Sequence, residues 1–299
     1  MCGIVGLFLK NADMHSTLGA HLSTMLVAMT DRGPDSAGIA VYHRPVAANS
    51  CKLTLFRPEL HYPWREIGGA LGEALAAEVD VEIKANHAVM TVAAPDAAVR
   101  EWLRSHHPEI RIMGYGQLME VYKDIGLPAE VALRYGLEGM AGSHALGHTR
   151  MATESAVTTE HSHPFTAAAD LCLVHNGSLS NHNNLRKWLR RRGFEFETDN
   201  DSEVAARYFA YRLGEGASLA EALEAGLEDL DGFYTFAMGT HDGFAVLRDG
   251  VACKPAVLAE TDDWVAMASE YRSLANLPGI EHASIWEPEP AIVYSWRLN

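Results

Sequence analysis

The sequence predicts an α+β protein built from stacked layers of strands and helices. Two observations support this prediction, the first on the class and the second on the globular character of the chain. Apolar strand patterns occur in runs that are separated from runs of helical patterns. The chain of 299 residues is 48% apolar and 21% charged, which is an ordinary globular balance and leaves room for about two domains.

The net charge excludes several classes of partner. The chain carries 24 Lys and Arg against 39 Asp and Glu, so its formal net charge is −15. A general nucleic-acid binder needs basic surface to displace counterions, and an anionic membrane also attracts basic segments. We therefore expect neither nucleic acid nor a membrane as a partner.

Targeting and metal-binding signals are weak. No apolar run reaches the roughly 18 residues that span a bilayer, and the short apolar start has no basic segment before it. These features predict a cytoplasmic protein. The four cysteines form no C-x-x-C pair, so we expect no metal site in this chain. We also find no nucleotide-binding loop or flavin motif in the sequence, so we expect no cofactor.

Residues 1–43 show the pattern strand, helix, turn, strand. The apolar, β-rich run over 2–9 predicts the first strand, and apolar residues at helical spacing predict a helix over 15–29. Turn residues at 31–35 separate this helix from a strand over 39–42.

Residues 50–113 show the order β-α-β-β-α-β, which is that of a split, ferredoxin-like module. The pattern predicts strands over 53–56, 81–84, 88–93 and 110–113, with helices around 65–79 and 95–106. A helical connector is expected over 117–138. Residues 50–140 would then form an inserted α+β module with its connector, while 1–43 and 143–299 share one core.

Residues 143–299 carry strand patterns, then helical patterns, then several short strand patterns. Strands are expected near 143–149 and 170–175, and helices near 181–192, 202–213 and 218–228. Short strands should follow over 233–239, 244–247, 256–258, 264–267 and 292–296.

Cys2 stands out because of its position. A small second residue allows removal of the initiator Met, which would leave Cys2 at the N-terminus. The thiol is a nucleophile when deprotonated, and the free α-amine, with a reference pKa of about 7.7–8.0, can accept a proton near neutral pH. Taken alone, however, Met1-Cys2-Gly3 fits the start of a buried strand better than it fits a nucleophile.

Later segments supply polar groups that suit an acyl-transfer site. Arg150 follows an apparent strand, where it could hold a carboxylate through two parallel hydrogen bonds. Asn176 and Gly177 place an amide side chain beside an unencumbered backbone N–H, which are the donors that an oxyanion hole requires. Each of these segments alone could also be an ordinary turn or strand end.

Together, six ordered segments resemble the class-II glutamine amidotransferases, whose glutaminase domain belongs to the N-terminal-nucleophile (Ntn) hydrolases. The segments are Cys2-Gly3-Ile4-Val5-Gly6, Arg32-Gly33-Pro34-Asp35-Ser36-Ala37-Gly38, Gly147-His148-Thr149-Arg150-Met151-Ala152-Thr153, His163-Pro164-Phe165, His175-Asn176-Gly177 and Asp201-Ser202-Glu203-Val204. Weaker similarity continues at Ala268-Ser269-Glu270. The resemblance covers nearly the whole chain except the insert.

The resemblance implies a four-layer αββα sandwich and a set of catalytic roles. Cys2 would attack the side-chain amide of glutamine, with its own α-amine as proton shuttle, and Asn176 and Gly177 would hold the oxyanion. Arg150 would bind the α-carboxylate of the substrate and Asp201 its α-ammonium group. Thr153 and His163 are expected to line the pocket, and Arg32 to order the N-terminal strand.

The sequence departs from the family pattern in two places. Many relatives carry an aromatic residue where this chain has Met151, and the insert between Tyr42 and Gly147 is long for the family. The layout most resembles the stand-alone glutaminase subunits related to glutamate synthase. This branch implies a hetero-oligomer in which a partner synthase subunit accepts the ammonia and carries flavin mononucleotide (FMN), with or without an iron–sulfur cluster.

Two other interpretations of the chain stay open. In one, the chain is the small subunit of an N-methylglutamate synthase and handles γ-glutamyl or amine transfer. In the other, it is a non-catalytic scaffold subunit, which a retained Met1 would favour because it blocks the amine of Cys2. The presence of Cys2, Asn176 and Arg150 argues against the scaffold.

Overall fold

The computed structural model describes residues 2–151 and 157–298. The strands are β1 (Gly3–Leu9), β2 (Ser36–Tyr42), β3 (Cys51–Phe56), β4 (Val79–Lys84), β5 (His87–Val92), β6 (Arg111–Gly116), β7 (Met119–Ile125), β8 (His144–Arg150), β9 (Phe165–Ala168), β10 (Leu171–Leu179), β11 (Gly232–Gly239), β12 (Gly243–Arg248), β13 (Val257–Glu260), β14 (Trp264–Ala268), β15 (Ser284–Trp286) and β16 (Val293–Arg297). The helices are α1 (Leu18–Val27), α2 (Trp64–Leu75), α3 (Asp96–His106), α4 (Pro128–Tyr135), α5 (His182–Arg190), α6 (Asp201–Gly214) and α7 (Leu219–Asp229). Within the described ranges, no helix has the length and apolar character needed to cross a membrane.

The strands form three antiparallel sheets. The largest has the order β15-β13-β14-β1-β8-β2-β7, the second β16-β12-β11-β10-β9, and the third β4-β5-β3-β6. β1 lies inside the largest sheet and pairs with β14 on one edge and β8 on the other. Its backbone groups are therefore satisfied on both sides, and its entire length is buried.

The two larger sheets face each other, and a helical layer covers each outer face. Alternate residues of β1 serve different layers, as the period of two in a strand requires. Ile4 and Phe8 point into the core between the sheets, where they join Val174 and Phe244 of the second sheet. Val5, Leu7 and Leu9 pack instead in the cluster that contains the apolar residues of α1 and α4.

The outer face of the second sheet packs against α5, α6 and α7 through a separate apolar cluster. The layers are therefore helix, sheet, sheet, helix. The predicted α+β class and its αββα layering are confirmed.

Residues 51–116 contain six elements in the predicted order β-α-β-β-α-β. The helices form because their apolar residues recur at helical spacing: Trp64, Ile67 and Leu71 in α2, and Val99 and Leu103 in α3. All five side chains belong to the apolar cluster that covers one face of the four-stranded sheet.

The prediction of a helical connector over 117–138 is wrong in its first half. Residues Met119–Ile125 form strand β7, which pairs with β2 at the edge of the largest sheet, and only α4 in the second half is helical. The sequence pattern does not predict β7 as a buried strand, because its charged residues Glu120, Lys123 and Asp124 are typical of a solvated surface. In the folded chain all three side chains are buried, and residues from other elements form hydrogen bonds with their charged groups. Strands β9 and β15 were also not predicted.

Glu120 of β7 ties the inserted module to the largest sheet. Its Oε1 accepts a hydrogen bond of 3.0 Å from Lys52 Nζ of β3, and His43 Nε2 lies 2.8 Å from the same oxygen. Tyr122 OH donates to Oε2 at 2.6 Å. Burial alone would raise the pKa of Glu120, but His43 and Lys52 outweigh it and hold the pKa well below the usual carboxyl value.

Asp124 forms a second buried junction on the same strand. Its carboxylate accepts hydrogen bonds from Asn86 Nδ2 at 3.2 Å, Arg134 Nη1 at 2.6 Å and Tyr135 OH at 2.9 Å. It also accepts from Thr159 Oγ1 at 2.9 Å. One carboxylate thus connects the module, helix α4 and the segment that leads into β9.

We expect Glu120→Ala to lower the free energy of unfolding by about 3–5 kcal/mol, because it leaves the Lys52 ammonium group buried without its carboxylate. The matched control is Glu59→Ala, which removes a surface ion pair with Arg57 and should cost about 0–1 kcal/mol. Urea denaturation at neutral pH measures both. Because the pKa of Glu120 is lowered, its contribution should be present at neutral pH and be lost as the pH falls below about 4.3. Equal losses in the two variants would contradict this account.

Candidate functional site

Cys2 lies directly before β1, where two predicted site residues converge on its backbone. Its carbonyl oxygen accepts hydrogen bonds from Arg32 Nε at 2.9 Å and from Asn176 Nδ2 at 3.3 Å. Its Sγ lies 4.0 Å from the carbonyl oxygen of Met151. The side chain is only partly buried, so the thiol stands at an accessible end of a rigid strand.

Arg32 connects the start of β1 to the segment after β14. Its Nη1 forms an ion pair of 2.7 Å with Glu270 Oε1, while its Nε holds the carbonyl of Cys2. Two further hydrogen bonds of 2.9 Å join Ser269 to Ile4. The Ile4 N–H donates to Ser269 Oγ, and the Ser269 N–H donates to the carbonyl oxygen of Ile4. The sequence signal for Glu270 was the weak Ala268-Ser269-Glu270 match, which did not assign it a partner.

Glycines in the Arg32–Gly38 segment permit close approach of the backbone to two other site segments, at Arg150 and at His163. A Cβ on Gly33 would lie 2.4 Å from Arg150 N, and one on Gly38 would lie 2.0 Å from the carbonyl oxygen of His163. No side chain fits at such distances. Arg150 itself ends β8, directly opposite Ser36 of β2, and is buried.

Asn176 and Gly177 lie in β10, where they pair with Thr235 and Tyr234 of β11. Gly177 has a φ of 156°, and a Cβ there would lie 2.1 Å from the carbonyl oxygen of Phe233. The position therefore requires glycine for both conformation and space. Asn176 is buried, and its amide group contacts the residue that carries the thiol.

Asp201 begins α6, after Asn200 caps the helix by accepting a hydrogen bond from Ser202 N at 2.8 Å. Asp201 Oδ2 accepts a hydrogen bond of 2.9 Å from Leu179 N, at the end of β10. This contact holds the first turn of α6 against the strand that carries Asn176. The carboxylate thus has a structural partner beside its predicted role toward the substrate ammonium group.

His163 lies in a buried cluster that the sequence analysis did not assign. His163 Nε2 and His175 Nδ1 each lie 2.8 Å from Ser202 Oγ, and His163 stacks on His148 with ring centroids 4.0 Å apart. His148 Nε2 lies 3.0 Å from the carbonyl oxygen of His175. These contacts place His163 behind the site. That it also lines the pocket stays a prediction.

The histidine cluster is neutral near pH 7. Burial lowers the pKa of His148 to about 3 and holds the pKa of His163 well below its usual value. Burial also lowers the pKa of His175, although Asp201 opposes this effect. The Ser202 hydroxyl lies between the His163 and His175 rings and also 3.4 Å from Asp201 Oδ1. The neutral cluster therefore contacts Asp201 through Ser202 without adding charge. His148, His163, His175 and Ser202 all stand in segments that carry the family resemblance, and each lies within two residues of a predicted site residue or is one itself.

Thr153, which was predicted to line the pocket, lies outside the described residues. Over 2–151 and 157–298, no three His, Cys, Asp or Glu side chains are grouped so that they could hold a metal ion. The chemistry that this part of the site can offer is a thiol nucleophile, an amide donor beside it, and charged side chains of both signs at the neighbouring strand and helix ends.

Comparison with known proteins gives consistent similarities. A model of the glutamine amidotransferase domain matches residues 148–276. The "Glutamine amidotransferase-like protein GlxB" of Rhizobium meliloti (strain 1021) is 54% identical over 297 residues, covering 99% of this chain and 98% of that protein. The amidophosphoribosyltransferase of Archaeoglobus fulgidus is 32% identical over 180 residues, covering 59% of this chain and 39% of that protein.

The fold has a solved counterpart. Glutamine phosphoribosylpyrophosphate amidotransferase from B. subtilis, complexed with ADP and GMP, matches with a TM-score of 0.58 at 21% identity. The match covers 99% of this chain and 49% of that chain. At this identity the similarity shows the fold alone.

We expect acid to destabilise the protein partly through the histidine cluster. A buried His148 with a pKa of about 3 takes up its proton only on unfolding. The unfolded state therefore binds more protons below pH 6.5, and stability should fall by about 2 kcal/mol between pH 7 and pH 5 from this one group. His148→Gln, which keeps a donor near Nε2, should reduce the pH dependence by that amount in urea denaturation. The control His282→Gln, at an exposed position, should leave it unchanged. An unaltered profile in His148→Gln would refute the assignment.

Proposed function

Because the chain belongs to the glutamine amidotransferase family, we propose that it hydrolyses the side-chain amide of glutamine with the Cys2 thiol as nucleophile. One observation supports this proposal above the others: Arg32 and Asn176 both donate hydrogen bonds to the carbonyl oxygen of Cys2. A residue held in this way presents its thiol and its α-amine in a fixed orientation, which nucleophilic catalysis requires.

In the proposed mechanism, removal of Met1 frees the α-amine of Cys2, which takes the thiol proton. The thiolate attacks the amide carbon of glutamine. The Asn176 Nδ2 group and the Gly177 backbone N–H donate hydrogen bonds to the oxyanion that forms. The amine returns the proton to the leaving nitrogen, and ammonia departs. Water then cleaves the γ-glutamyl thioester, so that glutamine and water give glutamate and ammonia.

Selection of free glutamine is assigned to two charged groups. We propose that Arg150 binds the α-carboxylate and that Asp201 pairs with the α-ammonium group, with Thr153 and His163 nearby. The zwitterion of free glutamine satisfies both charges, whereas a glutamine within a peptide satisfies neither. The burial of Arg150 at the end of β8 and the attachment of Asp201 to the end of β10 support fixed positions for both groups.

We further propose that the ammonia passes to a partner synthase of the glutamate-synthase type in a cytoplasmic hetero-oligomer. The support is the resemblance of the layout to stand-alone glutaminase subunits. In this proposal the partner subunit carries FMN, with or without an iron–sulfur cluster, and this chain carries no cofactor. Co-purification of the chain with a flavin-containing subunit encoded beside it would test the assignment.

Covalent labelling tests the nucleophile. Intact mass spectrometry before and after exposure to 6-diazo-5-oxo-L-norleucine should show loss of Met1 and a single adduct. We expect Cys2→Ala to abolish the adduct. The control Cys253→Ala removes an exposed free cysteine and should retain it. An adduct that survives in Cys2→Ala, or that disappears in Cys253→Ala, would refute the nucleophile. Retained Met1 without an adduct would favour the scaffold interpretation.

Replacement of the proposed oxyanion donor tests the mechanism. Asn176→Ala should lower kcat for glutamine hydrolysis by about 10²–10³ with a small change in KM, because the donor acts on charge that develops only in the transition state. Asn184→Ala, at an exposed position of α5, is the matched control and should retain activity. Steady-state assays of glutamate release measure both. An increase in KM at constant kcat would instead assign Asn176 to substrate binding.

A further inference from the structure

A cavity of about 1100 Å³ lies between the inserted module and the main fold. On the module side it is bounded by α3 and β6, and on the other side by β9, the 193–198 turn and the start of α6. Thr166 Oγ1 of β9 donates to the carbonyl oxygen of Met113 in β6 at 2.6 Å and closes the cleft between the two sides. The lining includes neither Cys2 nor Asn176, Arg150 or Asp201.

The lining of this cleft is cationic, although the chain as a whole carries a net charge of −15. Six basic side chains line it against four carboxylates. The basic residues are Arg100, Arg104, Arg111, Lys123, Arg190 and Arg207. The carboxylates are Glu160, Glu195, Glu197 and Glu203. A concentration of guanidinium groups in a concave site favours anions, because each can hold a phosphate or carboxylate group through two hydrogen bonds.

The ion pairs that span the cleft are weak. Arg104 Nη1 lies 3.9 Å from Glu195 Oε2, and Arg111 Nη1 lies 4.0 Å from Glu197 Oε2. The Glu195 side chain is 84% exposed, so the pair with Arg104 is screened by water and contributes little.

Closer ion pairs join α3 residues to one another: Arg104 Nη2 donates to Glu101 Oε2 at 3.1 Å, and Arg100 Nη2 donates to Asp96 Oδ2 at 2.9 Å. The Arg104–Glu101 pair is exposed and contributes little. An incoming anion can therefore replace the contacts across the cleft at small cost.

The carboxylate of Glu203, in contrast, is occupied by backbone N–H groups of the 193–198 turn. It accepts hydrogen bonds from Glu197 N at 2.9 Å and from Thr198 N at 2.8 Å. Arg207 Nη2 lies 3.6 Å from Glu203 Oε1, and Arg207 Nε is buried with no hydrogen-bond partner among the described residues. Such a donor is costly to leave unsatisfied.

Arg190 contributes a further cation with no carboxylate of its own. Its guanidinium carbon lies 5.7 Å from the centre of the Phe196 ring, and it forms no ion pair within the part of the chain that the structure describes. Lys123 lies deeper, where its Nζ donates to the carbonyl oxygens of Ser162 at 2.8 Å and Pro164 at 3.2 Å. Burial lowers the pKa of Lys123 to about 8, so it still adds positive charge at pH 7.

From this arrangement we infer that the cleft is a binding site for a small organic molecule that carries at least two anionic groups, phosphate or carboxylate. Arg104 and Arg190 reach it from opposite sides and hold separate anionic groups, while Arg207 supplies the unsatisfied donor. The volume of about 1100 Å³ is slightly above the usual range for small-molecule sites, which suits a ligand larger than a single inorganic ion. This inference is independent of the proposed glutaminase activity.

Isothermal titration calorimetry tests the site with two probes, pyrophosphate and citrate, each at constant ionic strength. We expect saturable binding of one equivalent of at least one probe. The combined variant Arg104→Gln and Arg190→Gln should weaken binding at least tenfold. The matched control, Arg44→Gln with Arg65→Gln, removes two exposed charges outside the cleft and should leave the affinity unchanged. Circular dichroism and thermal unfolding verify that both double variants fold.

The two probes distinguish the sources of the anionic groups. Preference for pyrophosphate would identify a phosphorylated ligand, and preference for citrate a polycarboxylate. Absence of saturable binding for both probes would overturn the inference. So would an equal loss of affinity in the cleft variant and the control variant, because that result would indicate general electrostatic attraction.

Discussion

The position of β1 constrains the rest of the structure. This strand is buried on both faces and paired along both edges. One face packs against the helical layer of α1 and α4, and the other packs against the second sheet. Its packing leaves little space: a Cβ on Gly6 would lie 2.5 Å from the ring of Phe244 in the opposite sheet. Because Cys2 directly precedes this strand, the thiol is positioned by the whole sandwich and not by a flexible terminus.

Buried polar groups serve two different purposes around this frame. At the junction with the module, Glu120 and Asp124 stay charged because neighbouring cations and donors satisfy their oxygens. Behind the site, the buried histidines stay neutral because the groups around them offer little compensation for lost hydration. The first arrangement attaches the module and so creates the wall of the cationic cleft. The second supports Asp201 through Ser202.

Much of the fold could be predicted from the sequence, and the failures share a cause. The α+β class and the module order follow from apolar periodicity, which local patterns report faithfully, and the αββα layering follows from the family resemblance. Strand β7 was missed because Glu120, Lys123 and Asp124 are charged, and a local pattern cannot show that Lys52 and Arg134 lie opposite them. The ion pair between Arg32 and Glu270 joins residues that are 238 positions apart, so no spacing rule could have found it.

The sequence by itself determined the fold class, the family and the residue types available for chemistry, because each of these is recorded in local motifs and their order. Only the tertiary structure decided which groups meet. It brought Arg32 and Asn176 to the carbonyl of Cys2, it placed His163 in a buried cluster behind the site, and it assembled a cationic cleft from elements that are distant in the chain. The physical reason is that hydrogen bonds and ion pairs depend on distances of a few ångströms, which strand pairing and layer packing set and which sequence separation does not encode.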